Sequence, residues 1–166
     1  MNFLEQLVAE WCEIRDAFVR TNVRVKKLQG GGYEGELDVV AWFPATGKVV
    51  HYETSTDADS WQKRQKRFEK KFEAGRRHIR TEVLKGMQFG EQPIEHVAVF
   101  ATRITESRAE LAGGKAMWVG DLLTEISQYL EDNFADPLKR AVPEKYALLR
   151  TLQYDQWRRR IQKDTA

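Results

Sequence analysis

The sequence has a single cysteine, Cys12, only four prolines, and no apolar run close to the roughly 20 residues that a membrane-spanning helix needs. One cysteine excludes an intrachain disulfide and a zinc site built from several thiolates. The opening segment MNFLEQLVAEW is amphipathic and acidic, which is not typical of a secretory signal peptide. We therefore expect a cytoplasmic protein with no membrane partner.

The chain also lacks a large excess of charge of either sign, since 27 Lys and Arg stand against 25 Asp and Glu, a net charge of +2. With 42% hydrophobic and 31% charged residues, the 166-residue chain suits a globular protein with one main core. The total charge indicates no partner, and only the distribution of charge along the chain is informative.

Two apolar-rich segments, Glu36–Phe43 and Lys48–Thr54, are joined by Pro44-Ala45-Thr46-Gly47. Proline and glycine favour a turn, so these segments predict a β-hairpin. The preceding Gly30-Gly31-Gly32 is interpreted as a flexible connection into the hairpin. It is not a phosphate-binding fingerprint, because no Lys-Ser/Thr follows it and a strand rather than a helix comes next.

Acidic side chains interrupt both predicted strands. In the first strand, alternation with a period of two places Glu36 and Asp38 on one face, and Leu37 and Val39 on the other. In the second strand, His51, Glu53 and Ser55 share one face.

Burying acidic groups among apolar residues costs free energy unless a cation lies between them. Asp38 and Glu53, on neighbouring strands, are therefore a predicted site for a hard divalent cation, which prefers carboxylate oxygen. His51 on the same face is either a metal-side or general-base residue, or a structural histidine, which is the commoner case.

The segments Gly35–Ala41 and Val49–Ser55 resemble the hairpin of the PD-(D/E)XK nuclease superfamily, closest to its Holliday-junction resolvase and restriction-endonuclease branch. That family has an Asp on one strand and a Glu-x-Lys on the next. Asp38 and Glu53 match the first two positions, and Ser55 stands where the family has its lysine. The resemblance implies an α/β fold with a restriction-endonuclease-like αβββαβ core and metal-dependent hydrolysis of DNA phosphodiester bonds.

The resemblance also implies Mg²⁺, or Mn²⁺, as cofactor, held by Asp38, Glu53 and a glutamate of the first helix. Residues 2–20 predict that helix, and Glu10 lies at the edge of its apolar stripe. Glu10 is therefore the candidate third metal ligand. The alternative is a glutamate at the edge of the stripe whose carboxylate reaches water.

Ser55 cannot supply the positive charge of the family lysine, and three explanations stay open. A lysine of the following helix, Lys63 or Lys66, reaches back to the strand end. In the second explanation, no lysine is needed, because the metal and the Ser55 hydroxyl together are enough for catalysis. In the third explanation, the site is catalytically inactive and the protein is only a binding domain.

The helix predicted over 61–85 is strongly basic. From Gln62 to Lys85, ten Lys or Arg stand against three Glu, a local net charge of +7. A solvated charged face normally mixes signs, so one-sided basicity favours contact with phosphates. The candidate nucleic-acid-binding residues are Lys63, Lys66, Arg67, Lys70, Lys71 and Arg77, all placed on the face opposite the apolar stripe.

Further elements complete the predicted fold. Strands are expected over 22–28, 95–102 and 115–119, and helices over 122–134 and 144–162. The order α-β-β-β-α-β, then β-α-α, predicts a mixed sheet with helices on both faces. We expect a nuclease-like domain over 1–134 and a C-terminal helical extension over 135–166, packed on the same domain.

The last helix ends with Trp157-Arg158-Arg159-Arg160, which either grips nucleic acid or places cations at a helix C-terminus. The expected partner is nucleic acid, DNA rather than RNA, and a homodimer is an open assembly state. Two functions stay open: a nuclease, or a catalytically inactive module with the nuclease fold that binds nucleic acid or serves in assembly.

Overall fold

The computed structural model describes residues 2–87 and 89–164. The chain divides into two compact units, 1–119 and 120–166, so that the helix over 119–134 falls almost entirely in the second. In the described part of the chain, no helix combines the length and apolar character that crossing a membrane requires.

The first unit is an α/β structure with helices on both faces of one sheet. Its main helices are α1 (Phe3–Glu13) and α2 (Trp61–His78), and α2 continues into a π-helical turn, Ile79–Val83. The strands are β1 (Phe18–Lys27), β2 (Tyr33–Phe43), β3 (Lys48–Ser55), β4 (Glu95–Phe100), β5 (Glu110–Leu111) and β6 (Gly114–Trp118).

The six strands form one open mixed sheet in the order β1-β2-β3-β4-β6-β5. Strands β1, β2 and β3 are antiparallel neighbours, whereas β4 pairs in parallel with β3 and with β6. The predicted hairpin and the parallel crossover through α2 are both confirmed. The two-residue strand β5 was not predicted, because it is too short to show alternation.

Helix α1 is shorter than predicted. A capping box fixes its start, since Asn2 accepts from the Glu5 backbone and Glu5 accepts from the Asn2 backbone. The prediction that it extends to residue 20 is wrong, because Asp16 takes a left-handed backbone (φ 62°) and the chain turns there into β1. The apolar residues after that turn belong to a strand, not to the helical stripe.

The sheet lies between α1 and α2. Cys12 of α1 lies against Tyr52 of β3, while Phe72 of α2 packs edge-on against His51. Because consecutive strand residues point to opposite faces, α1 and α2 cover opposite sides of β3. The α2 side therefore receives His51, Glu53 and Ser55.

Strand β2 changes phase at Asp38. Leu37 and Val40 belong to the same core cluster, which includes Ala74 of α2, although residues three apart on a regular strand face opposite sides. The predicted separation of Leu37 from the Asp38 face is therefore wrong. Opposite Asp38 in the register with β1 lies Asn22, whose backbone is left-handed (φ 50°). Such local distortions are frequent next to active sites, where they redirect a side chain.

The second unit consists of α3 (Val119–Phe134), α4 (Ala147–Asp164) and the chain between them. Leu122, Ile126 and Leu130 of α3 are buried, as the helical spacing predicts. The buried Gln153 of α4 accepts from the Val142 backbone at 2.8 Å and donates to the Phe134 carbonyl at 2.7 Å. The side chain of Gln153 thus links the segment between α3 and α4 to both helices by hydrogen bonds.

We predict that Asn22→Val destabilises the protein relative to Asn22→Gly by about 1–2 kcal/mol, since only glycine, and to a lesser degree Asn and Asp, accepts a left-handed backbone. Both variants lose the Asn22 hydrogen bond to Glu5, so their difference isolates the backbone effect. Urea unfolding measures it, and equal stabilities would contradict a left-handed residue 22.

Candidate active site

The ammonium group of Lys71 lies between the two carboxylates that the hairpin supplies. Its Nζ is 2.9 Å from Asp38 Oδ1 and forms a second, closer ion pair with Glu53 Oε2. Asp38 and Glu53 come from the antiparallel strands β2 and β3, and Lys71 comes from α2. The structure thus brings the predicted acidic pair together around one cation.

Burial governs the electrostatics of this cluster. Glu53 is fully buried, and the loss of water raises the pKa of its carboxyl to about 8, against the opposing pull of the Lys71 ammonium. Burial also opposes the charge on Lys71, but attraction to Glu53 and Asp38 outweighs it and raises the pKa of Lys71. The lysine is therefore positively charged at the base of a mostly buried acidic site.

Asp38 takes its position where the pairing of β2 with β3 ends. The last paired residues are Val39 and Tyr52. Beyond them Asp38 Oδ2 accepts from the Thr54 backbone amide at 2.8 Å and from the Thr54 hydroxyl at 3.2 Å. The carboxylate thus replaces the backbone acceptor that β2 no longer supplies. One oxygen is fixed by the strand and the other faces the cation.

A chain of two histidines continues from Glu53 into the sheet. His51 Nε2 is 2.8 Å from Glu53 Oε1, and His51 Nδ1 is 3.0 Å from His96 Nδ1. Burial lowers the pKa of both rings to about 3, so both are neutral. Above its raised pKa Glu53 is ionised and can only accept, and His51 then donates from Nε2 while His96 donates to His51 from Nδ1. This chain orients Glu53 and leaves its second oxygen to Lys71.

Helix α2 and strand β3 meet in a repeating register that builds the site. Three pairs follow one another: Arg67 with Ser55, Lys71 with Glu53, and Gly75 with His51. Two strand residues advance about 6.6 Å and four helical residues about 6 Å, so the two spacings match along the antiparallel elements. The close approach requires Gly75, because a Cβ there would lie 2.4 Å from His51 Nδ1.

Ser55, at the position of the family lysine, belongs to a polar cluster at the start of α2. Its hydroxyl donates to Asp57 Oδ2 at 2.7 Å and accepts from Arg67 Nη2 at 2.9 Å. Arg67 also pairs with Asp57 at 2.6 Å and with Asp59 at 3.1 Å. Although burial opposes it, hydrogen bonds from Arg67 and Ser55 hold the pKa of Asp57 at about 2. A guanidinium therefore supplies positive charge next to residue 55.

The lysine at the carboxylates is not the one that the sequence suggested. Lys63 is exposed, with its Nζ 4.0 Å from Asp59, and Lys66 lies on the outer surface of α2. The expectation that either reaches back to the strand does not match the structure. The signal was present, since Lys71 lies three residues after Phe68 and four before Gly75, on the side of the helix that faces the sheet.

Glu10 is placed away from the acidic pair. It lies buried on α1, accepts from Gln6 at 2.9 Å, and α1 covers the sheet face opposite Glu53. Throughout residues 2–87 and 89–164, no three His, Cys, Asp or Glu side chains gather in a way that could hold a metal ion. The predicted three-carboxylate cluster is therefore not assembled, because the sheet separates its members.

The basic surface of α2 is smaller than its sequence suggests. Arg64 is buried and donates to the Asp57 carbonyl and to Thr102, while Arg67 and Lys71 face the sheet edge. Placing Arg67 and Lys71 on the outer face was thus incorrect. The outward cations that follow one another along the helix are Lys63, Lys66, Lys70 and Arg77, of which Arg77 is paired with Glu34 and Glu73.

A cavity of about 310 Å³ connects this surface with Asp38 of the acidic pair. Its lining combines acidic residues of β2 with cations of α2: Glu34, Gly35, Glu36, Asp38, Arg67, Lys70, Lys71 and Ala74. The carboxylate of Asp38 and the ammonium of Lys71 are thus open to a ligand from the side where Lys70 projects.

The arginines at the C-terminal end of α4 find acidic partners within the second unit. Arg158 and Arg159 pair with Asp155 at 2.9 and 2.6 Å, and Arg160 pairs with Glu131 at 2.7 Å. These contacts use the charge of all three side chains locally.

The oxygens of the acidic pair suit a divalent metal ion. Asp38 and Glu53 supply hard carboxylate oxygens that already converge on one cationic centre, which suits Mg²⁺ or Mn²⁺. The described residues bring no third side-chain ligand to these two carboxylates, and Mg²⁺ tolerates such a set because it usually keeps several waters. A metal here would share its ligands with Lys71.

No protein-family model matches this chain, and no curated protein matches it in a sequence comparison.

We predict that Gly75→Ala destabilises the protein by about 1–3 kcal/mol, as overpacking in a buried contact does, although alanine is the better helix former. The added methyl group would displace His51 and with it Glu53. Gly30→Ala is the matched control, since a Cβ there meets nothing within 4 Å. Thermal unfolding compares the two, and a Gly75→Ala protein as stable as the wild type would contradict the close helix–strand contact.

Proposed function

We propose that the protein is a nuclease-like phosphodiesterase that binds nucleic acid, DNA in preference to RNA, and hydrolyses it with Mg²⁺ or Mn²⁺. The observation that carries the proposal is the contact of Lys71 with both Asp38 and Glu53. Two carboxylates and one lysine are the groups that the PD-(D/E)XK resemblance requires, with the lysine supplied by α2 instead of β3.

The order of elements supports the same proposal. Strands β1, β2 and β3 follow α1 as an antiparallel meander, and α2 then leads to β4, which is parallel to β3. This is the αβββαβ order that the resemblance implies, with Asp38 in the middle of β2, as in the family pattern, and Glu53 near the end of β3. We therefore propose a restriction-endonuclease-like core for residues 1–119.

In this proposal Asp38 and Glu53 would hold the metal. Its chemistry would be activation of water and neutralisation of the charge that develops on phosphate. Lys71 lines the cavity beside Asp38, where its ammonium stabilises an anionic phosphate. His51 acts through Glu53, whose carboxylate it orients by a hydrogen bond of 2.8 Å. Thr54 orients Asp38 in the same way.

Nucleic acid would enter along α2. Lys63, Lys66 and Lys70 recur at helical spacing on its outer side and lie exposed. No acidic group pairs with Lys66 or Lys70 among the described residues, so both ammonium groups are available to phosphates. Lys70 lines the cavity that contains Asp38, which connects this basic stripe to the acidic pair.

A second candidate function is nucleic-acid binding without catalysis. It is favoured by the occupation of the acidic pair, since Lys71 already contacts both carboxylates and Ser55 leaves the position of the family lysine uncharged. In that case Lys71 stabilises the fold, and only the basic stripe of α2 takes part in nucleic-acid binding.

We predict that cutting of linear, nicked or branched DNA requires Mg²⁺ or Mn²⁺, and that Asp38→Asn and Glu53→Gln each abolish it. Lys71→Met should lower the cutting rate about 100-fold or more, as loss of one preorganised charge does at other sites, while DNA affinity changes little. The same variant should bind Mn²⁺ more tightly in calorimetry, because the ammonium no longer competes for the carboxylates.

The control for Lys71→Met is Lys48→Met, which removes a lysine ion-paired to Glu95 at the opposite end of β3 and should cut like the wild type. If the wild-type protein cuts none of these substrates and calorimetry detects no metal, the nuclease proposal is wrong and the binding module takes its place. Cutting by Lys71→Met at the wild-type rate would show that the lysine has only a structural role.

We predict that replacing Lys63, Lys66 and Lys70 together by alanine weakens DNA binding and reduces the slope of log K against log salt by up to about 3. The comparison is a triple alanine variant of Arg24, Lys48 and Lys115, cations of strands β1, β3 and β6, whose slope should stay near that of the wild type. Fluorescence anisotropy from 50 to 300 mM salt measures both. An unchanged slope in the α2 variant would place the interface elsewhere.

A further inference from the structure

Arg67 occupies an unusual position for a residue on a basic helix. Its guanidinium turns toward the end of β3, donates to the Ser55 hydroxyl at 2.9 Å and pairs with Asp57 and Asp59 at 2.6 and 3.1 Å. It also lines the cavity that contains Asp38 and Lys71. Arg67 is therefore next to the acidic pair without touching it.

The carboxylate partners of Arg67 can be replaced by another anion. Its side chain is 35% exposed and those of Asp57 and Asp59 are each 37% exposed, so water and solutes reach this ion pair. Exposed ion pairs contribute little to stability. A phosphate offers a guanidinium the same geometry as a carboxylate, with two parallel hydrogen bonds. A phosphate entering the cavity could replace Asp59 as partner at small energetic cost.

The helix–strand register places this arginine where an extra cation is needed. Arg67 precedes Lys71 by one helical turn, as Ser55 follows Glu53 by one strand repeat. Lys71 therefore forms ion pairs with the two carboxylates. Arg67 places positive charge beside Ser55, the strand position that has no charge of its own. Together they extend positive charge along the cavity wall, from Asp38 toward the start of α2.

We propose that Arg67 binds a phosphate group of the nucleic-acid strand held at Asp38 and Glu53, and that Asp57 and Asp59 keep its guanidinium in position until the phosphate arrives. The nature of the ligand, a phosphodiester, rests on the function proposed above. The competing role for Arg67 is structural, a fastening of the 56–60 loop onto α2.

A double-mutant cycle on DNA affinity separates the two roles. A 20-base-pair duplex is titrated in EDTA, so that nothing is cut, against the wild type, Arg67→Ala, Asp59→Asn and the double variant. Arg67→Ala should weaken binding about tenfold, and Asp59→Asn should tighten it about threefold because the arginine is released. In the Arg67→Ala background the Asp59 change should have almost no effect.

The pair Lys48 and Glu95 is the matched control, a half-exposed ion pair with a distance of 3.0 Å at the far end of β3. Lys48→Ala and Glu95→Gln should each change the affinity less than twofold. Should Arg67→Ala be poorly folded, Arg67→Lys supplies the same test, because it keeps the charge and the loop contact but loses the paired hydrogen bonds. A loss of at least threefold is expected for it.

The proposal is overturned if Arg67→Ala or Arg67→Lys binds DNA like the wild type, if Asp59→Asn has the same effect with and without Arg67, or if the wild type binds no DNA at 50 mM salt. Its failure is distinguishable from failure of the nuclease proposal. A protein that cuts DNA without coupling between residues 59 and 67 keeps the first proposal and loses this one. A protein with that coupling but no cutting has the phosphate site alone.

Discussion

The arrangement of this protein depends on one partly buried cation. Without the Lys71 ammonium, Asp38 and Glu53 would be two carboxylates close together on a sheet with too little water to screen them. With it, the middle of β2, the end of β3 and the middle of α2 are joined at one point. The same carboxylate oxygens can bind either the lysine ammonium or a metal ion.

The surrounding structure serves this contact. Gly75 lets α2 approach β3 closely, one turn beyond Lys71, and His51 occupies the space that a side chain there would fill. The left-handed backbone of Asn22 accompanies the phase change that turns Asp38 toward the cation. Such unfavourable local conformations persist only where neighbouring contacts fix them, and they are commonest near functional sites.

Charge on α2 has two separate uses. Arg64, Arg67 and Lys71 point inward and contact acceptors of the sheet, of Thr102 and of the 56–60 loop, whereas Lys63, Lys66 and Lys70 point outward. The inward set shapes a cavity, and the outward set provides a surface of one sign. Counting charges along the helix merges the two sets, which is why the local charge of +7 overstated the surface available to a polyanion.

The sequence by itself determined the hairpin, the order of the main elements and the presence of Asp38 and Glu53 on adjacent strands, because alternation and turn residues are local signals. Only the tertiary structure decided which lysine meets them and that Glu10 does not. Each depends on which side of the sheet a helix covers and on how its turns align with the strand. Those are relations between distant segments, and no local pattern records them.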